Sequence, residues 1–211
     1  MSDFLSLLHR SPVVAVIRTP TPSWAIHCAR CAREGGIVLV EISWQTPQVE
    51  WVLEQLGQDF PDLVLGAGTL TTGAMVKEAV RWGSRFLFSP VHTIEVIAAA
   101  QEEGVPIVAG ATTPTEIFTA WQRGATAVKV FPVANLGGVS YIKALQPVFP
   151  HIPLIPTGGV TLENAQAFLQ AGALAVGLAT DLFPPPLVQQ QNWQTITDRI
   201  QRLMQTLVPP P

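Results

Sequence analysis

Eight short apolar runs, separated by amphipathic stretches, constrain the fold of this sequence more than any other feature. They occupy residues 13–18, 38–43, 63–68, 85–90, 106–111, 127–132, 153–158 and 175–179. Each has strand length, and apolar runs of this kind mark strands buried on both faces, as in a parallel sheet flanked by crossover helices. The stretches between them read as helices, for example over 22–34, 71–82, 93–103 and 162–171, several opened by Thr or Pro and closed by Gly, as helix ends prefer. An α/β chain built this way either closes as a (β/α)8 TIM barrel or stays open as a doubly wound sheet. An open sheet leaves edge strands that ought to be more polar than these, so closure is the expectation.

The 211 residues lie near the lower size limit for such a barrel, and the connections are too short to hold an inserted domain. One domain over 1–211 follows. Within it, residues 1–10 should form an additional helix closing the bottom of the barrel, 184–186 an extended Pro connection before the last helix, and 207–211 a frayed Pro-rich tail.

The formal net charge is −3 and the basic residues are scattered, which gives no footprint for nucleic acid. The first residues lack the basic region and apolar core of a secretion signal, and no later segment has about 18 uninterrupted apolar residues. A cytoplasmic protein with small-molecule partners, and neither nucleic acid nor membrane as a partner, is expected. Cys28 and Cys31 form a C-x-x-C, but no second pair exists and both lie on one face of a helical segment, so they are read as structural. The four His residues are dispersed without a ligand pattern, and neither a metal nor another cofactor is expected.

Chemistry points instead to a lysine. Of the three in the chain, Lys77 and Lys143 fall in helical patterns, whereas Lys129 lies inside the strand 127–132. Alternation sends Val128 and Val130 toward the helices and leaves Lys129 and Phe131 facing the barrel interior. A buried ammonium loses several kcal/mol of solvation, which favours the neutral amine, the form that attacks a ketone. Snorkelling from the strand end, or pairing with an acid, would be the structural alternative. Glu41 occupies the equivalent inward place in 38–43. Strands two and six are both even-numbered and can share one side-chain layer, so Glu41 is placed to move protons for Lys129 or to pair with it structurally.

Hydroxyls and glycines stand at other strand ends: Thr69 after Gly66-Ala67-Gly68, Ser89 before Pro90, and Thr157 before Gly158-Gly159. They can hold a substrate carboxylate or cap helices. Gly158, Gly159 and Gly177 sit where many barrels bind phosphate, and Arg18, at the end of strand one, can lend charge to the same mouth.

At these residues the chain resembles the 2-keto-3-deoxy-6-phosphogluconate (KDPG) / 4-hydroxy-2-oxoglutarate (KHG) aldolase family. The marks are Val40-Glu41-Ile42-Ser43, Gly66-Ala67-Gly68-Thr69, Ser89-Pro90, Val128-Lys129-Val130-Phe131-Pro132 and Pro156-Thr157-Gly158-Gly159, and the likeness runs from Val13 to about Leu182. The resemblance implies a homotrimeric barrel that cleaves a 2-keto acid to pyruvate and an aldehyde without metal. It implies Lys129 as Schiff-base lysine, Glu41 as general acid and base, Thr69 and Thr157 beside the pyruvyl carboxylate, and Phe131 and Pro90 in the pocket wall. Two residues depart from the family pattern. Gln45 replaces an Arg that helps hold substrate, and a neutral amide offers no bidentate charged fork. Ala179 stands where a phosphate-binding Ser is usual, followed by Asp181, which would repel phosphate if it faced the site. The short substrate 4-hydroxy-2-oxoglutarate is therefore expected over the phosphorylated sugar acid. The alternatives are an oxaloacetate decarboxylase using the same imine and a non-catalytic metabolite-binding barrel.

Overall fold

The computed structural model describes residues 2–207, with side chains from Phe4 onward. All eight apolar runs are strands: β1 (Val13–Ile17), β2 (Leu39–Ser43), β3 (Val64–Gly68), β4 (Phe86–Phe88), β5 (Ile107–Ala111), β6 (Ala127–Val130), β7 (Leu154–Pro156) and β8 (Val176–Leu178). Every pairing is parallel, in the order β7-β6-β5-β4-β3-β2-β1-β8. A parallel bridge from Thr157 to Gly177 joins the two ends of that order, so the sheet closes into a (β/α)8 barrel.

Ten α-helices are described: α1 (Ser2–Arg10), α2 (Pro22–Glu34), α3 (Val49–Asp59), α4 (Gly73–Arg81), α5 (Ile94–Glu102), α6 (Pro114–Gln122), α7 (Val139–Leu145), α8 (Ala165–Gln170), α9 (Pro185–Gln189) and α10 (Trp193–Leu207). Threonines start four of the crossover helices. The side chains of Thr21, Thr72, Thr93 and Thr113 each accept from a backbone N–H of the first turn, satisfying a donor that the helix itself leaves free.

Strand alternation divides the core into two layers. The larger lies between barrel and helices and contains Val13, Ala15, Ile17, Val40, Ile42, Val128 and Val130. The smaller fills the barrel interior with Val14, Leu39, Phe86, Phe88, Val108, Ala127 and Ile155. Phe4 and Leu8 of α1 join this inner layer, and Phe4 stacks on Phe86 at 5.4 Å between ring centres. The N-terminal helix thus closes the bottom, which leaves the opposite, C-terminal mouth for a site.

Two details differ from the sequence expectation. Residues 184–186 are not an extended link: Pro185 and Pro186 begin α9. Proline lacks the N–H that a first helical turn has no use for, and its φ is already helical, so a Pro cluster starts a helix as readily as it avoids one. Leu207, assigned to the tail, is the last residue of α10, and 208–211 lie outside the described residues. Among the described residues no helix is long and apolar enough to cross a membrane.

Candidate active site

Register brings the two inward charges together. Glu41 lies in the β2 row that pairs with Val16 of β1 and Gly66 of β3, while Lys129 in β6 pairs with Gly110 of β5 and Ile155 of β7. Glu41 is 1% exposed and Lys129 5%. A charge taken from water this completely stays only where other groups compensate for it.

The barrel makes room for Glu41 by omitting a side chain beside it. A Cβ on Gly68 would overlap the Glu41 carboxyl and stand 2.7 Å from its Cγ, so glycine at the end of β3 is a packing requirement of the acid. The Oε2 atom of Glu41 has no hydrogen-bond partner among the described residues. Burial pushes the carboxyl pKa above the ordinary range, partly offset by the positive charges of Lys129 and Arg18. The acid form is thereby made accessible, as a group that must both donate and accept a proton requires.

Lys129 Nζ lies 4.9 Å from the Phe131 ring centre and 5.6 Å from that of Phe88. Both rings present the negative part of their quadrupole to a cation, an interaction worth about 0.5–2 kcal/mol. Phe131 is 37% exposed and stands at the mouth. A Cβ on Gly158, whose φ is +81°, would come within 3.0 Å of the Phe131 ring, so this backbone lies directly against the aromatic wall.

Hydroxyls complete the floor. Thr69 Oγ1 and Ser43 Oγ share a hydrogen bond at 3.0 Å, and Arg18 Nε donates to Ser43 Oγ at 3.4 Å. Thr69 has a φ of +64°, a left-handed conformation that costs a β-branched residue about 1–3 kcal/mol and that recurs at functional sites. Buried Thr157 faces Gly177 of β8, where a Cβ would lie 2.5 Å from its Oγ1.

One cavity of about 490 Å³ collects Lys129, Glu41, Thr69, Thr157, Arg18, Phe131, Pro90 and Gly158. Gln45 and Gly159, also named from the sequence, do not line it. Gln45 is exposed beside Ser43. Ser89 is buried away from the cavity, where its hydroxyl donates to the Leu70 carbonyl at 2.6 Å and accepts from Val91 N–H. Its role is to hold a turn.

Asp181 corrects an expectation as well. Its carboxylate accepts from the Leu162 N–H at 2.8 Å and faces Arg199 at 3.9 Å, away from the cavity, so it does not set a negative charge against a ligand there. Ala179 does line the wall, and so does the adjacent Thr180, whose hydroxyl sequence reasoning passed over because it fixed on the neighbouring positions. Trp24, Phe183 and Val188 also went unrecognised, since in sequence they are ordinary members of helical or loop patterns.

Cys28 and Cys31 are buried free thiols. Burial, with the neighbouring Cys31 adding to it, pushes Cys28 up to about 12, and Cys31 Sγ contacts the Trp193 carbonyl oxygen at 3.5 Å. Among the described residues no group of three or more His, Cys, Asp or Glu is placed to hold a metal ion.

Residues 5–199 match the family model described as "KDPG and KHG aldolase". The 2-dehydro-3-deoxy-6-phosphogalactonate aldolase of Escherichia coli K12 is 36% identical over 174 residues, covering 82% of this chain and 84% of that protein. The 2-dehydro-3-deoxy-phosphogluconate aldolase of Treponema pallidum is 30% identical, covering 97% and 98%. Among solved structures, the KDPG aldolase of Legionella pneumophila, with pyruvate captured at low pH as a covalent carbinolamine intermediate, superposes with a TM-score of 0.87 at 31% identity. That match covers 94% of this chain and 97% of the other.

Proposed function

Because this chain belongs to the KDPG and KHG aldolase family, we propose that it is a class I aldolase in which Lys129 forms a Schiff base with the ketone of a 2-keto acid. The observation that carries the reading is the meeting of buried Lys129 and buried Glu41 in the wall of one cavity at the open end of the barrel.

The chemistry follows from those groups. The Lys129 amine adds to the C2 carbonyl and water leaves, giving a protonated imine. Glu41 removes the proton of the C4 hydroxyl, the C3–C4 bond breaks, and its electron pair moves into the imine to give an enamine and a free aldehyde. Protonation at C3 and hydrolysis release pyruvate and restore the amine. The ring faces of Phe131 and Phe88 favour the cationic imine, while the Thr69 and Thr157 hydroxyls are placed to hold the pyruvyl carboxylate.

We assign the preference to substrates without phosphate. Among the described residues Arg18 is the only cation in the cavity wall besides Lys129 itself, and Ala179 presents no side-chain donor. Arg18, the Gly158 N–H and the Thr180 hydroxyl are what the wall offers a phosphate. The test is turnover of 4-hydroxy-2-oxoglutarate and 2-keto-3-deoxy-6-phosphogluconate measured side by side with purified protein. Release of pyruvate from both is expected, with kcat/KM higher for the first by roughly ten- to a hundredfold, the value of one charged hydrogen bond. Cleavage of neither contradicts the aldolase reading, and a strong preference for the phosphorylated acid contradicts the substrate assignment.

We further propose that the protein works as a homotrimer in the cytoplasm. Phe118 is 41% exposed and stacks on Phe149, beside the 63% exposed Val148, which is apolar surface that a neighbouring copy would cover. Light scattering is expected to give three times 22.7 kDa, and a monomer mass contradicts this.

A further inference from the structure

The cavity has a second lobe that the pyruvyl half of a substrate does not use. Val16 pairs with Glu41 and faces the barrel interior, whereas the next residue, Ile17, belongs to the layer between strands and helices. Successive residues of a strand point to opposite faces, and both line the same cavity. The space therefore passes around the end of β1, from the Lys129 chamber into a gap between α2 and α9. The outer wall is formed mainly by Ile17, Trp24, Cys28, Phe183, Pro185 and Val188, with Gln189 beside Val188. None carries a charge, and the one ionisable group among them, the Cys28 thiol, is held neutral by burial.

We propose that this lobe binds an apolar aliphatic or aromatic substituent on the aldehyde half of the substrate, so that the enzyme's preferred aldehyde is apolar rather than phosphorylated. The inference rests on the aldolase reading and adds the substrate class to it. An anionic group entering the lobe would lose its hydration against a wall that returns no charge and only the neutral donors of the Trp24 indole and the Gln189 amide. An alkyl group gains there instead, because about 490 Å³ in all lies within the range of pockets that enclose a whole small ligand. In the synthetic direction, C3 of the pyruvyl enamine attacks the aldehyde carbon and the resulting alkoxide takes its proton from Glu41. Hydrolysis of the imine by water then releases the 4-hydroxy-2-oxo acid with its substituent in the lobe.

The experiment combines purified enzyme and pyruvate with propanal, butanal, 3-methylbutanal, glyoxylate and glyceraldehyde 3-phosphate, and runs borohydride trapping of pyruvate in parallel. From propanal to 3-methylbutanal, kcat/KM is expected to rise by up to roughly fourfold per added carbon, the factor for burying one methylene, and 3-methylbutanal should surpass both glyoxylate and the phosphorylated aldehyde. Val188→Asp is expected to cut the ratio of 3-methylbutanal to glyoxylate kcat/KM by tenfold or more. Trp24→Gln, at a half-buried position, serves the same purpose should the first variant not fold. If pyruvate is trapped on Lys129 yet the aliphatic series is flat, or glyceraldehyde 3-phosphate is preferred, the lobe has been misread while the aldolase reading stands. If no pyruvate is trapped, both fall.

Discussion

Gly68→Ala is expected to silence the enzyme although Gly68 supplies no side chain to the chemistry. The added methyl would occupy the space of the Glu41 carboxyl, and even Glu41 Cγ would lie 2.7 Å away, about 1 Å inside ordinary carbon–carbon contact. Glu41 is 1% exposed and sits in a strand paired on both sides, so its backbone cannot follow and the carboxyl itself must swing. A misplacement of about 1 Å in a reacting group is enough for a loss on the order of 10²-fold, and the displacement forced here is at least that large. Overpacking should cost a further ~1–3 kcal/mol of stability, small enough for the barrel to fold. The assay is pyruvate release from 4-hydroxy-2-oxoglutarate, with circular dichroism as the fold control and borohydride trapping to show that Lys129 still reacts. Turnover within threefold of the parent enzyme would refute the idea that glycine is there to seat Glu41.

Glu41→Gln should lower turnover by on the order of 10²-fold while leaving substrate affinity less affected. The same variant has a pH signature in stability. A folded-state pKa raised by burial means that the parent is best stabilised while Glu41 is protonated and loses stability as pH rises through the folded value. The neutral amide of the variant lacks that liability, so the melting-temperature difference in its favour should grow from pH 5 to pH 8; a constant difference contradicts the buried-acid account. Thr69→Gly should relieve the left-handed strain at this position, leaving thermal stability within ~1 kcal/mol of the parent while kcat/KM falls. Unchanged kcat/KM would remove Thr69 from the site. Glu116 accepts from the N–H groups of Thr112 and Thr113 and is held down at about 2, chiefly by the Thr112 hydroxyl. Its stabilisation is complete above the ordinary carboxylate range and disappears as pH falls toward 2, so Glu116→Ala should cost about 1 kcal/mol at pH 7 and little at pH 2 by chemical denaturation.

The barrel was legible because its signal is repeated. Eight apolar runs with helical spacers leave little else to build, and Lys129 and Glu41 stand out because the other charges of these runs, Arg18 and Arg85, fall at their ends rather than inside them. What escaped depends on three-dimensional juxtaposition. Pro184 to Pro186 carry the same signature in an extended link as in a first helical turn, so composition alone did not separate them. Asp181 read as a threat to phosphate because the partner that turns it away, the Leu162 N–H, is 19 residues earlier in the chain. Ser89 had the type and place of a ligand-binding hydroxyl, but its bond to Leu70 shows only in the folded strand ends. Trp24, Phe183 and Val188 have no distinguishing neighbours in sequence and meet only in the wall of the folded cavity.

Lys129 is proposed as the amine that captures the ketone. Incubating the protein with pyruvate and borohydride, followed by peptide mass mapping, tests it directly, because reduction converts the imine into a stable secondary amine at the residue that formed it. A single label on Lys129 is expected, abolished by Lys129→Arg and retained, at a slower rate, in Glu41→Gln. A label confined to Lys77 or Lys143, or full turnover in Lys129→Arg, would contradict it.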